Sequence, residues 1–176
     1  MIETKRLLLR KFTDADLPEL YDMSYSPFVM QFNMLKPLSF AEFAAAQAEN
    51  EDLCIVLKTG ELIGQISLRE DKIRHGVQAV NLSYWLGEKF VRQGYMFEAL
   101  QGLLPVLFAK KIEVITARVF SPNTGSQKLL EKLGFQQEAY LQYAVKKADG
   151  VIFDDLFYVL FHPQLAELLG SAGTDG

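Results

Sequence analysis

The chain is poor in the residues that build disulfide-stapled or metal-dependent proteins. Cys54 is its one cysteine among 176 residues. No disulfide can therefore form within the chain, which fits a reducing, cytoplasmic setting. Cys54 lies in the apolar run Leu53-Cys54-Ile55-Val56-Leu57 and reads as a buried core thiol. His75 and His162 are the only histidines. They are far apart and neither has metal-ligand spacing, so no metal site is expected. Basic residues are not in excess: 18 Lys and Arg face 22 Asp and Glu, for a net charge of −4. That balance gives no footprint for nucleic acid, and it suits a cationic partner better. No apolar run is long enough to cross a membrane, and Met1-Ile2-Glu3-Thr4 does not open a secretory signal. The phosphate-loop sequence G-x-x-x-x-G-K-[ST] is missing, as is G-x-G-x-x-G, which removes the P-loop and dinucleotide-binding readings. Asn81-Leu82-Ser83 matches a glycosylation sequon, but within a predicted strand of a cytoplasmic protein it reads as chance.

What is present is an ordinary globular composition, 49% apolar and 23% charged, in a length that suits one domain with a real core. Hydrophobic patterning predicts a strand over Arg6–Phe12 and a helix from Asp14 to about Met23, with Thr13 at its cap. Ser26-Pro27 breaks that helix, and 28–38 reads as an irregular aromatic loop. Ser39-Phe40-Ala41-Glu42 is a capping box opening a helix to about Glu49. Leu53–Lys58 and Leu62–Arg69 read as a hairpin about Thr59-Gly60, and Val77–Leu86 as a further strand. A helix follows over Tyr95–Ala109, with Pro105 expected to kink it. Then come a strand over Glu113–Phe120, a helix capped by Asn123 and closed by Gly134, and strands over Gln136–Lys146 and Val151–Phe161. A short last helix is expected over Pro163–Leu169. The order predicts an α/β protein: a mixed, mainly antiparallel sheet with helices on both faces. Residues 1–169 read as one domain and 170–176 as a loose polar tail.

The chemistry is organised around Ser83–Leu100, S-Y-W-L-G-E-K-F-V-R-Q-G-Y-M-F-E-A-L. A strand ends at Leu86, a polar turn follows, and a helix starts at Tyr95. Such a strand–turn–helix aims free backbone N–H groups at an anion, and Gly94 lets the backbone approach it closely. The stretch resembles the acetyl-CoA pyrophosphate loop of GNAT N-acetyltransferases, nearest the branch that acetylates ribosomal-protein N-termini. That branch carries Y-W-L, a spacer and R/W-G-x-G-Y-A-x-E-A-L. The chain matches at Tyr84, Trp85, Leu86, Gly94, Tyr95, Glu98, Ala99 and Leu100. It departs at Val91, at Arg92 where Gly is usual, and at Met96 where Ala or Gly is usual. The resemblance extends from Ile2 to about Phe161.

A second stretch, Asn123 to Phe135, resembles the family pattern N-x-x-S-x-x-L-x-x-x-x-G-F. The resemblance implies the GNAT acyl-CoA N-acyltransferase fold, acetyl-CoA as co-substrate and an amine acceptor. It also implies that Trp85, Leu86, Arg92, Gln93, Gly94, Tyr95, Met96 and Phe97 meet the cofactor. Asn123 takes the position that reaches the pantetheine arm, and Ser126 the position facing the thioester sulfur. Asn123 also reads simply as a helix cap, and Ser126 as a residue on a solvated face. A backbone N–H near Trp85 or Leu86 is implied as the oxyanion donor. A third stretch, Gly150 to Tyr158, looks like the branch's terminal hairpin G-x-x-x-D-x-x-x-Y, with Asp154 ordering the hairpin or lining the acceptor site.

Two usual proton-handling groups are missing. The branch often has Glu where this chain has Asn81, and many members have Tyr where it has Leu130. Ser126 is left as the donor to the CoA thiolate, and Glu138, Asp154 and Asp155 as fallback bases. An acceptor of low pKa, above all a peptide or protein α-amine near 7.7–8.0, is favoured over a lysine near 10.4. Two alternatives stand beside this reading: an acyl-CoA-binding protein with little turnover, and an acetyltransferase for a small amine such as a polyamine or antibiotic. A homodimer is compatible with each of them.

Overall fold

The computed structural model describes residues 1–163; the helix expected from Pro163 and the tail from Gly170 lie outside the described residues. Eight strands form one mixed sheet in the order β1-β2-β3-β4-β5-β6-β8-β7. They are β1 (Ile2–Glu3), β2 (Leu7–Lys11), β3 (Leu53–Leu57), β4 (Leu62–Glu70), β5 (Ala79–Leu86), β6 (Val114–Phe120), β7 (Gln136–Lys146) and β8 (Ile152–Phe161). The helices are α1 (Leu17–Ser24), α2 (Pro27–Met30), α3 (Phe40–Glu49), α4 (Tyr95–Ala109) and α5 (Thr124–Lys132). Among the described residues no helix is long and apolar enough to cross a membrane. The chain divides into two compact units: 1–68 with 83–103, and 69–82 with the residues from 104 onward.

In the first unit β2 pairs antiparallel with β1 and with β3, and β3 with β4. Leu7 and Leu9 alternate onto one wholly buried face of β2, the pattern that made this strand legible. Thr13 opens a capping box, but the first turn is a tight 3-10 turn over Asp14–Asp16 before α1 begins. Asp16 also receives two hydrogen bonds from Arg10, at 2.7 and 2.9 Å. Ser26-Pro27 does more than end α1. The Ser26 hydroxyl accepts from the Val29 N–H and Pro27 takes the first helical position, so the expected loop opens with the short helix α2. Ser39 and Glu42 form the expected capping box of α3. Leu20, Phe43, Cys54, Val56 and Leu62 make the core here, with Trp85 packed against them. Burial pushes the Cys54 thiol up to about 11, so it is an inert core group.

In the second unit β5 pairs parallel with β6 over Ala79–Leu82 and Val114–Ala117. β6 pairs antiparallel with β8 along its full length, and β8 with β7. Ala79, Val114 and Val159 form a core cluster covered by Phe161. Leu130, on α5, is completely buried. Arg74 holds two acids, donating to Asp71 at 2.9 Å and to Glu138 at 2.6 Å, which fixes the turn after β4.

Candidate active site

The first unit carries the loop between β5 and α4. Its approach is set by Gly64, a glycine inside β4. A Cβ on Gly64 of β4 would lie 2.3 Å from the Trp85 carbonyl oxygen and 2.8 Å from Leu86 Cδ2. Only a residue without a side chain admits this contact. The Gly87 N–H then donates to the Ile63 carbonyl at 2.9 Å, fixing where β5 ends. The partly buried Trp85 ring packs against the core of this unit.

Beyond Leu86 a 3-10 turn over Glu88–Phe90 leads into the loop. The Gln93 side-chain amide donates to the Lys89 carbonyl at 2.7 Å and staples the turn. Arg92 is exposed and has φ +61°, and Gly94 has φ +78°. Arg92 thus takes a left-handed conformation at the position where the resembling pattern has glycine. The Glu98 N–H reaches back to the Gly94 carbonyl at 3.0 Å, so α4 is wound directly on the glycine. Met96 is 6% exposed and is therefore a core residue; its bulk does not fill the loop.

Arg6 holds this loop from the start of the chain. Its Nε donates to Glu98 at 2.6 Å, its backbone N–H to the same carboxylate at 2.6 Å, and its Nη1 to the Gln93 carbonyl at 3.1 Å. Its guanidinium carbon stands 4.3 Å from the centre of the Tyr95 ring. Thr4 adds a hydroxyl donor to Glu98 at 2.7 Å. Glu98 is the one charged residue of α4. Burial alone would raise its carboxyl, but the Thr4 and Arg6 donors and the Arg6 charge outweigh burial and hold it below the ordinary range. A lone acid inside an apolar helix demands a donor, and this is the signal in the sequence that points to a partner such as Arg6.

Because the Glu98 pKa is lowered on folding, the carboxylate's contribution is present above about pH 4.5 and is lost as pH falls through the folded value. Glu98→Gln should therefore cost about 1–2 kcal/mol at neutral pH, allowing for the partly solvated Arg6 side chain. The gap to wild type should narrow in acid. Urea unfolding at pH 7 and at about pH 4 measures both; a gap that widens in acid would contradict the assignment.

The second unit carries the other expected residues. The Asn123 side-chain oxygen accepts from the Ser126 N–H at 3.2 Å, so Asn123 is the cap of α5. Ser126 lies in the first turn of the same helix and is partly exposed. Asn81 donates to the Thr116 hydroxyl at 3.2 Å, which donates in turn to Asp71 at 3.0 Å. Burial pushes the Asp71 carboxyl up, but the Ile73 N–H, Thr116 and Arg74 together hold it below its ordinary value. It is an ionised, engaged carboxylate and a weak base. The three fallback acids differ sharply. Glu138 is paired with Arg74. Asp154 accepts from the Tyr140 hydroxyl and from the Tyr143 N–H, which lower its pKa in that order. Asp155 is completely buried beside Arg118, and burial raises its pKa against the pull of that cation. Tyr140 and Tyr143 are exposed residues of the β7 segment. Among the described residues no cluster of His, Cys, Asp and Glu could hold a metal ion.

This order of elements has counterparts among known proteins. Residues 6–136 match the acetyltransferase (GNAT) domain family. An uncharacterized N-acetyltransferase of Bacillus subtilis, YoaA, is 27% identical over 93% of this chain and 98% of its own. The crystal structure of a GNAT-family acetyltransferase from Bacillus anthracis superposes with a TM-score of 0.81 at 22% identity, over 92% of this chain and 98% of that one. The structure of RimL, a ribosomal L7/L12 alpha-N-protein acetyltransferase in complex with coenzyme A, superposes with a TM-score of 0.79 at 20% identity, over 90% of this chain and 95% of that one. The family match spans most of the chain, and with it the chain belongs to the GNAT acetyltransferases, enzymes that transfer an acetyl group to an amine.

Proposed function

We propose that the chain transfers the acetyl group of acetyl-CoA to the α-amine of a peptide or protein N-terminus, by direct attack of the amine on the thioester. The observation that carries the cofactor half is the loop turned on Gly94 and tied by Arg6 to Glu98, Gln93 and Tyr95. Its residues suit a diphosphate: the amides from Arg92 to Phe97 belong to a loop entering a helix N-terminus, and Arg92 adds a solvent-facing cation. Met96 contributes its backbone and not its buried side chain. Trp85 and Leu86 are assigned to the thioester end, one of their N–H groups meeting the developing oxyanion. Asn123 is assigned to the pantetheine arm and Ser126 to protonation of the departing thiolate. RimL, whose structure holds coenzyme A, supports the cofactor and the acceptor class by its likeness of fold.

The α-amine half follows from proton chemistry. Asn81 carries no base, Leu130 carries no hydroxyl, Asp71, Glu138 and Asp154 are all engaged by donors, and Asp155 is wholly buried against Arg118, out of an acceptor's reach. The amine must then lose its proton to water, which an α-amine near 7.7–8.0 does at neutral pH and a lysine near 10.4 does not. With no enzyme base, kcat/KM should rise with pH up to the acceptor's own pKa. Two peptides whose α-amines differ in pKa are therefore expected to give two different midpoints. A shared midpoint, independent of the acceptor, would mean that an enzyme group titrates and would sink this half of the reading.

A further inference from the structure

We propose that Arg118 is a specificity residue that binds a carboxylate on the acceptor, close to the amine that is acetylated. This rests on the acceptor reading above and on Asn81 occupying the position where the resembling branch carries its carboxylate.

Arg118 is the one charged and exposed residue in β6, a strand otherwise of small, apolar and buried groups. It directly follows Ala117, which forms the last parallel rung with Leu82. Side chains two apart on a strand share a face, so Arg118 lies beside Thr116, the residue that receives the Asn81 hydrogen bond, roughly 7 Å along the strand. Its guanidinium is held from two sides. Nε donates to Asp155 Oδ2 at 2.7 Å, and Nη2 is bonded to that same oxygen. The guanidinium carbon stands 4.8 Å from the centre of the Phe157 ring, on the residue directly opposite in β8. The side chain is nevertheless 49% exposed, and among the described residues no hydrogen bond engages Nη1. Other acids of this unit are taken elsewhere: Asp71 and Glu138 by Arg74, Asp154 by Tyr140 and Tyr143.

Stability does not account for this pair. An ion pair built for stability uses both carboxylate oxygens in a fork. Here both contacts fall on Oδ2, while Oδ1 of the wholly buried Asp155 meets no hydrogen-bond donor among the described residues. Burying a charge in that state is costly, and apolar replacements of such pairs are often neutral or stabilising. What the arrangement does achieve is orientation. One edge of the guanidinium is fixed inward by Asp155 and Phe157, leaving the Nη1 edge presented outward without loss of side-chain entropy on binding. Because the pair is neutral overall, it recognises its ligand through directional charge-assisted hydrogen bonds at contact range and not through long-range attraction. The matching ligand group is a carboxylate. It has two sources: an Asp or Glu side chain next to the N-terminal residue of a peptide, or the α-carboxylate of a free amino acid.

Four acceptors separate the possibilities: amidated peptides beginning Ser-Asp and Ser-Asn, and free serine with serinamide. Wild type should prefer the carboxylate member of one pair by roughly 10- to 100-fold in kcat/KM, and the pair concerned identifies the source. Arg118→Lys should keep part of the preference. Arg118→Gln should abolish it while leaving acetyl-CoA affinity unchanged. Should that variant fail to fold with Asp155 left unpaired, the double variant Arg118→Gln/Asp155→Asn removes both charges together, and it too should lose the preference. Equal use of both members of each pair by wild type overturns this proposal alone, as does a double variant that retains the preference. Acetylation of none of the four overturns the acceptor class and this proposal with it.

Discussion

Gly64→Ala is expected to cost about 3 kcal/mol of stability, through overpacking against a backbone that cannot rotate away. The new Cβ would meet the Trp85 carbonyl oxygen at 2.3 Å and the Leu86 Cα at 3.1 Å. Relief requires the end of β5 to move away from β4, stretching the Gly87 N–H to Ile63 hydrogen bond. The same movement shifts the Trp85 and Leu86 amides assigned to the oxyanion. A variant that survives folding should therefore lose turnover while its acetyl-CoA affinity changes much less. Urea unfolding gives the first quantity, and steady-state kinetics with calorimetry the second. Stability within about 0.5 kcal/mol of wild type would show that β4 and β5 do not approach as closely as 2.3 Å requires.

Gly94→Val should weaken acetyl-CoA binding by a few kcal/mol, or more than about 30-fold in Kd. Contact is not the cause, since a Cβ at Gly94 would sit 3.5 Å from Arg6 Nη2, an ordinary separation. The cause is conformation. A β-branched residue at φ +78° is strained, and the loop should relax by turning its amides away from the ligand. Arg92 already bears a milder version of that cost at φ +61°, so the loop has little conformational slack left. Unchanged affinity in a folded Gly94→Val protein would remove the pyrophosphate from this loop.

Elements controlled by neighbouring residues were legible in the sequence. The Ser39–Glu42 capping box, the span of α4 and the hairpin of β3 and β4 all appear where the residues predict them, because caps, apolar spacing and turn residues act locally. α2 is not legible in the sequence because Ser26-Pro27 serves equally as a stop and as a start, and only the Ser26 bond to Val29 decides between them. The site was legible as motifs but not as contacts. Arg6 is 92 positions from Glu98, and Arg118 is 37 from Asp155. Each pair is a charge inside an apolar element, which announces that a partner exists without saying which one. Gly64 is an ambiguous signal, since a glycine within a strand marks a bulge, a bend or a close approach alike. Residues of one motif also serve two different roles. Trp85 and Met96 occupy cofactor-loop positions, yet their side chains serve the core.

The most direct test offers the enzyme acetyl-CoA and one peptide carrying both a free α-amine and an internal lysine at neutral pH, with mass-spectrometric fragmentation locating the acetyl group. The account predicts CoA thiol release matched by a single acetyl group on the α-amine. Acetylation of the lysine instead, or thiol release without a modified peptide, would contradict it.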